Sequence, residues 1–170
     1  ARIEVFHFMD DTGDHFTEKI LDGPLHKQVR GVLSYIKDQV ITEKVFKIAG
    51  REDAMRVFNY PYEALDEMIC NAAYHKSYDV ANPIEIRISP TRIEILSFEG
   101  PMPPIGIEDL SKERIVNRFY RNRRIGDFFK ELHLTEGRST GFPKIYRSLR
   151  KNNSPMPKFE TDINKSYFLS

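Results

Sequence analysis

Within "EALDEMICNAAYHKSYDV", residues 63 to 80, Glu67, Asn71 and His75 recur every fourth residue. They are a proton acceptor, a neutral carboxamide and a titratable ring, three chemistries in one line. At about 100° per residue they drift only about 40° per step, so on a helix they form a single stripe. Leu65, Met68, Ile69 and Ala72 cluster beside that stripe as an apolar face that should meet a sheet. A polar stripe at such an edge is either a solvated flank or the wall of a cleft. Asn is a poor residue for a helix interior, because its side chain competes with the backbone. Asn71 therefore asks for a reason.

Two other stretches could handle anions. In "EGRSTGFPKI", Gly137, Ser139, Thr140 and Gly141 precede a helix. Amide groups at a helix N-terminus form an anion site, although an ordinary helix cap uses the same residue types. "SKERIVNRFYRNRR" carries Lys112, Arg114, Arg118, Arg121, Arg123 and Arg124 against the single acid Glu113. It reads first as a phosphate-neutralising segment, then as a solvated loop, and last as a nucleic-acid patch with Phe119 and Tyr120 for stacking.

The elements that must position these groups follow from periodicity. "ARIEVFHF" and "FTEKILDG" predict a hairpin around the turn "DDTGDH". Val29, Val32, Leu33, Ile36 and Val40 mark a helix entered at Pro24. "EKVFKIAG" and "AMRVFNY" predict short strands flanking "GRED", and Pro61 opens the helix of the stripe. "IEIRISP" and "TRIEILSF" are period-2 strands, and "EGPMPPIG" must be loop. "IGDFFKELHL" and "GFPKIYRSLRKN" predict two helices, and "KFETDI" with "KSYFLS" a closing hairpin. This order predicts an α+β fold, a two-layer sandwich of a mixed sheet with helices on one face.

The chain has 170 residues, 40% of them hydrophobic and 30% charged, with a net charge of +1. That length suits one domain, residues 1–170, with strands and a helix in 1–60, the site motifs in 61–150 and the hairpin in 151–170. No global charge imbalance calls for nucleic acid or an anionic membrane, and no apolar run has membrane-spanning length. Cys70 is the only cysteine, which excludes a disulfide framework and a cysteine metal cluster and agrees with a cytoplasmic setting. Ala1 already lies inside an alternating stretch, so we read the chain as the C-terminal part of a longer protein.

The motif E-x-x-x-N-A-x-x-H is similar to the N-box of the GHKL, or Bergerat-fold, ATP-binding superfamily. In order, "YPYEALDEMICNAAYHKSYDVANP", "SFEGPMP", "YRNRRIGDFF", "GRSTGFPKI" and "PMPKFETD" resemble the C-terminal domain of the RecG-related family of transcriptional regulators. The resemblance implies a Bergerat-like fold with ATP and Mg²⁺ as ligands. It implies Asn71 as the Mg²⁺ ligand, Glu67 as the group that orients or deprotonates water, and His75, Arg121 and Asn122 near the nucleotide. It also implies Ser97 and Gly100 in the adenine loop, Gly137, Ser139, Thr140 and Gly141 in the phosphate loop, and an ATP lid in the arginine-rich interval. The chain has no G-x-x-x-x-G-K-[ST] loop, so a helicase motor is rejected.

Three departures bear on function. Ser97 stands where the superfamily has an Asp for the adenine amino group, Glu99 replaces a glycine, and Arg123 replaces the proline of R-N-P. Three readings stay open. The first is a nucleotide-binding regulatory module of a transcriptional regulator, whose DNA-binding domain lies outside this chain. The second is a degenerate module acting in protein–protein association or as a homodimer. The third is direct DNA binding through the arginine-rich lid. Binding and slow ATP hydrolysis leave the same trace in sequence, so a weak ATPase activity is left open as well.

Overall fold

The computed structural model describes residues 1–47, 54–115, 120–135 and 141–170. β1 (Ile3–Phe8) and β2 (Phe16–Leu21) form the expected hairpin, in register from Ile3 opposite Leu21 to Phe8 opposite Phe16. Its turn is closed by the Asp10 carboxylate, which accepts the amides of Thr12 and Gly13. α1 (Leu25–Gln39) follows Pro24, whose fixed φ suits a helix entry. β3 (Glu43–Lys47) and β4 (Ala54–Phe58) then pair as a separate two-stranded arm.

α2 (Tyr62–His75) leads to β5 (Ile84–Ile88) and β6 (Ile93–Ser97). A short 3-10 helix (Ile107–Ser111), α3 (Arg123–Glu131), α4 (Gly141–Lys151) and β7 (Phe168–Leu169) complete the order. The main sheet runs β2-β1-β5-β6-β7; β1 and β5 are parallel and the other pairs antiparallel. The sheet is thus mixed, and the chain adopts the expected α+β sandwich.

Alternation decides which sheet face is covered. Ile3 and Val5 of β1, with Ile84, Ile86 and Ile88 of β5, are buried against Val29, Val32 and Ile36 of α1 and Leu65 and Ile69 of α2. Their neighbours in sequence point the other way and pair as surface ions: Arg2 with Glu4, Arg87 with Glu85, Arg92 with Glu94. Among the four residues expected on the apolar face of α2, Leu65, Ile69 and Ala72 are buried and Met68 is half-buried at its edge.

The closing hairpin is shorter than its sequence suggests. β7 pairs with β6, and the return strand contributes only a bridge from Glu160 to Leu169. Pro155 and Pro157 remove two backbone donors just before it. No helix among the described residues is long and apolar enough to cross a membrane.

The β3–β4 arm is held by side chains at its base, since an isolated two-stranded ribbon is marginal in water. Asn59 accepts the Thr42 amide and donates to the Val40 carbonyl. Asn152, at the end of α4, accepts the Phe58 amide at 3.0 Å and donates to its carbonyl at 2.6 Å. Asn152→Ala removes both bonds at once. Exchange of the Phe58 amide in hydrogen-exchange NMR should then quicken by roughly tenfold or more, while amides of β1 and β5 keep their rates.

Candidate functional site

α2 carries the polar stripe, and its surroundings differ from an open cleft wall. Glu67 is 7% exposed and lies against α4. α4 begins at Gly141, and a Cβ there would stand 2.8 Å from Glu67 Oε1 and 3.0 Å from Asn71 Nδ2. Only glycine lets the helix start approach this closely. One turn later, the Lys144 ammonium lies 3.3 Å from Glu67 Oε2. The structure therefore brings together Glu67, Asn71 and Gly141, three residues expected at the site, and adds Lys144.

The sequence reading did not single out Lys144. Its only signal was position, a cation three residues beyond Gly141 on the turn facing the stripe. Neighbouring groups feel the same burial. It pushes the Asp66 carboxyl upward, an effect the Lys144 ammonium opposes, and it pushes the Cys70 thiol upward as well. The buried Cys70 thiol donates to the Leu134 carbonyl.

The far end of α2 is closed by the pair expected to lie near nucleotide. Arg121 donates to the His75 carbonyl at 2.7 Å and the Gly100 carbonyl at 3.2 Å, and pairs with Glu99 at 3.3 Å. Asn122 donates to the carbonyls of Tyr74 at 2.9 Å and Lys76 at 2.6 Å. A helix leaves its last carbonyls without intrahelical donors; here three successive ones are satisfied from a distant segment. His75 sits beneath this clamp, its ring against Tyr74 and Tyr120. Burial, and secondarily the Arg121 guanidinium, lower its pKa to about 4. Lys76 is buried too, donating to the Ser77 and Val80 carbonyls, and burial lowers its pKa.

Of the residues expected in an adenine loop, Gly100 meets this clamp through its carbonyl. Ser97 ends β6 and is 2% exposed. Gly100 faces the chain's own C-terminal segment: its amide donates to the Lys165 carbonyl at 2.7 Å. A Cβ there would meet Thr161 Oγ1 at 2.6 Å and the Tyr167 carbonyl at 2.8 Å. Gly137, Ser139 and Thr140, and Arg118 and Phe119 of the lid, lie outside the described residues. The remaining lid cations are divided. Arg121 turns inward, Lys112 pairs with Asp109, and Arg123 and Arg124 are exposed at the start of α3.

Two measurements follow. Asn122→Ala strands the Tyr74 and Lys76 carbonyls and should lower unfolding free energy by about 1–3 kcal/mol in a denaturant titration with unchanged slope. A residue used only for ligand would leave the midpoint where it was. His75 binds its proton more weakly in the folded than in the unfolded chain, so its contribution to stability is complete above about pH 6.5. That contribution is lost as pH falls toward about 4. NMR titration should find the ring neutral throughout pH 5–8.

Comparison with known proteins gives a family and a fold. Residues 81–168, just over half of the chain, match the family model described as "Putative ATP-dependent DNA helicase recG C-terminal". The match spans β5 to β7 and begins after α2. A search of curated proteins returned no match. The fold is similar to the crystal structure of the DIP2311 protein from Corynebacterium diphtheriae, with a TM-score of 0.79 at 18% identity. That similarity covers 99% of this chain and 34% of the other, so the chain spans about a third of DIP2311's length. The chain belongs to the RecG C-terminal family.

Proposed function

We propose that this member of the RecG C-terminal family is an ATP- and Mg²⁺-binding regulatory module of a transcriptional regulator, without motor activity, with the DNA contact made by another part of the full protein. The observation that carries the reading is the seating of Gly141 on Glu67 and Asn71. It joins a residue within the matched region to the helix carrying Glu67 and Asn71, which the match does not include.

The residues suit a cation held jointly with phosphate. Among the described residues no group of three or more His, Cys, Asp or Glu could hold a metal by itself. Mg²⁺ is usually bound by one or two protein oxygens together with phosphates and water, and the Asn71 carboxamide supplies one such oxygen. When bound, Mg²⁺ would neutralise phosphate charge and acidify a coordinated water. Glu67, which shares the Gly141 contact with Asn71, would orient that water, which is the basis for weak hydrolysis. His75, neutral at pH 7, would support the cleft without adding charge. Ser97 would accept the adenine amino group through its hydroxyl, a weaker hold than a carboxylate provides.

One specific observation favours the second reading, association. Val45 and Phe46 of the β3–β4 arm are each more than half exposed and Phe58 is 40% exposed, an apolar surface suited to a partner or a second copy. Direct DNA binding is supported least, because Arg121 is spent on the α2 terminus.

Calorimetry with ATP and ADP, each with and without Mg²⁺, separates these readings. We expect Mg²⁺-dependent ATP binding, and Asn71→Ala should abolish the Mg²⁺-dependent part while the melting temperature holds within a few degrees. Wild-type protein with no Mg²⁺-dependent affinity at millimolar ATP would sink the nucleotide reading. Sedimentation showing a dimer dispersed by Phe46→Ser would then favour association.

A further inference from the structure

The pair Lys144–Glu67 has more than a packing role to explain. Both side chains are largely buried, with 18% and 9% of their surface exposed, and they meet at 3.3 Å. Replacing such a pair by apolar residues is often neutral or stabilising, so it is weak evidence of a stability device. Its position is more informative. Lys144 stands one turn into α4, and that helix's first residue touches both Glu67 and Asn71. Any phosphate sharing a cation with Asn71 would come within the reach of a lysine side chain rooted there.

We propose that Lys144 is a phosphate-contacting residue that exchanges partners, holding the Glu67 carboxylate in the nucleotide-free protein and the terminal phosphates in the loaded one. The inference rests on the nucleotide reading and deepens it. A lysine is suited to the exchange, being a point charge on a flexible stem with three rotatable donors. A polyphosphate brings more negative charge than one carboxylate, and charge-assisted bonds to it are strong. The exchange leaves Glu67 without its ammonium partner and free to accept a hydrogen bond from a water held beside the phosphates.

Opposite effects of the two partners distinguish this from a structural ion pair. Glu67→Gln removes the competitor and should tighten Mg·ATP binding severalfold in calorimetry. Lys144→Met should weaken it by about tenfold, and Lys144→Arg should restore most of the loss. Because Lys144→Met leaves a buried carboxylate unpaired and can unfold the chain, the decisive comparison is Glu67→Gln/Lys144→Met against Glu67→Gln alone. Both lack the buried anion, and the double variant should bind about tenfold more weakly. Equal affinities there would overturn the role of Lys144 while leaving the nucleotide reading intact. Inorganic triphosphate with Mg²⁺ is titrated in parallel. If ATP fails to bind wild type and Glu67→Gln alike, the nucleotide reading falls. A triphosphate response lost on removing Lys144 would still sustain the phosphate contact, and no response to either ligand would overturn it too.

Discussion

The close approach of α4 to α2 at Gly141 is the constraint on which the site depends. Two helices can bring backbone this near only where one lacks a side chain, and here the missing Cβ is replaced by Glu67 and Asn71. A carboxylate taken out of water in this way would be strongly unfavourable if left alone. Lys144 supplies the opposite charge from the same helix that causes the burial. Gly141 and Lys144 therefore act as a unit: one creates the desolvated environment of Glu67 and the other makes it tolerable.

The other end of α2 poses the complementary problem. Its N-terminal half is fixed by apolar contacts to the sheet, whereas its last carbonyls point at an irregular segment with no strand or helix to meet them. Arg121 and Asn122 meet them, and Arg121 continues to Gly100 and Glu99. The segment around Gly100, the helix terminus and the start of α3 are thereby tied at one guanidinium. Gly100 is in turn pinned by the C-terminal segment through Lys165, Thr161 and Tyr167. The altered loop "SFEGPMP" is thus held from two sides, and one of its departures from the glycine-rich pattern has an internal partner: Glu99 pairs with Arg121.

What could be read from the sequence was whatever local periodicity determines. The alternation in "IEIRISP" gave the covered face of β5, and the 3.6-residue spacing of Leu65, Ile69 and Ala72 gave the buried face of α2. Pro24 and Pro61 gave two helix entries to within a residue. The stripe of Glu67, Asn71 and His75 was legible as a stripe, and Gly141 as the start of the helix that follows. What covers the stripe was not, because the α2–α4 contact joins segments about seventy residues apart and no local pattern encodes it. The same holds for Arg121 and Asn122. The family resemblance implied ligand contacts for them, and only the tertiary structure reveals the carbonyls they satisfy. The β3–β4 arm was expected as strands, but its separation from the main sheet depends on Asn59 and Asn152, residues without a periodic signature.

Several polar groups that the family pattern associates with nucleotide thus already have partners within the chain: Glu67 has Lys144, Arg121 and Asn122 have the α2 carbonyls, and Gly100 has Lys165. Nucleotide binding as proposed would proceed by exchange, and each exchange would return only the difference between two interactions. Affinity would accordingly be set by the groups with least to give up. Asn71 is half-buried beside the α4 start and is not tied into the terminal clamp, and under the proposed exchange Lys144 would trade a carboxylate for a more highly charged phosphate. The base end of such a ligand would gain less, because Ser97 would offer one neutral hydroxyl. Under the proposed reading, a nucleotide would therefore be selected by its phosphates and cation more than by its base.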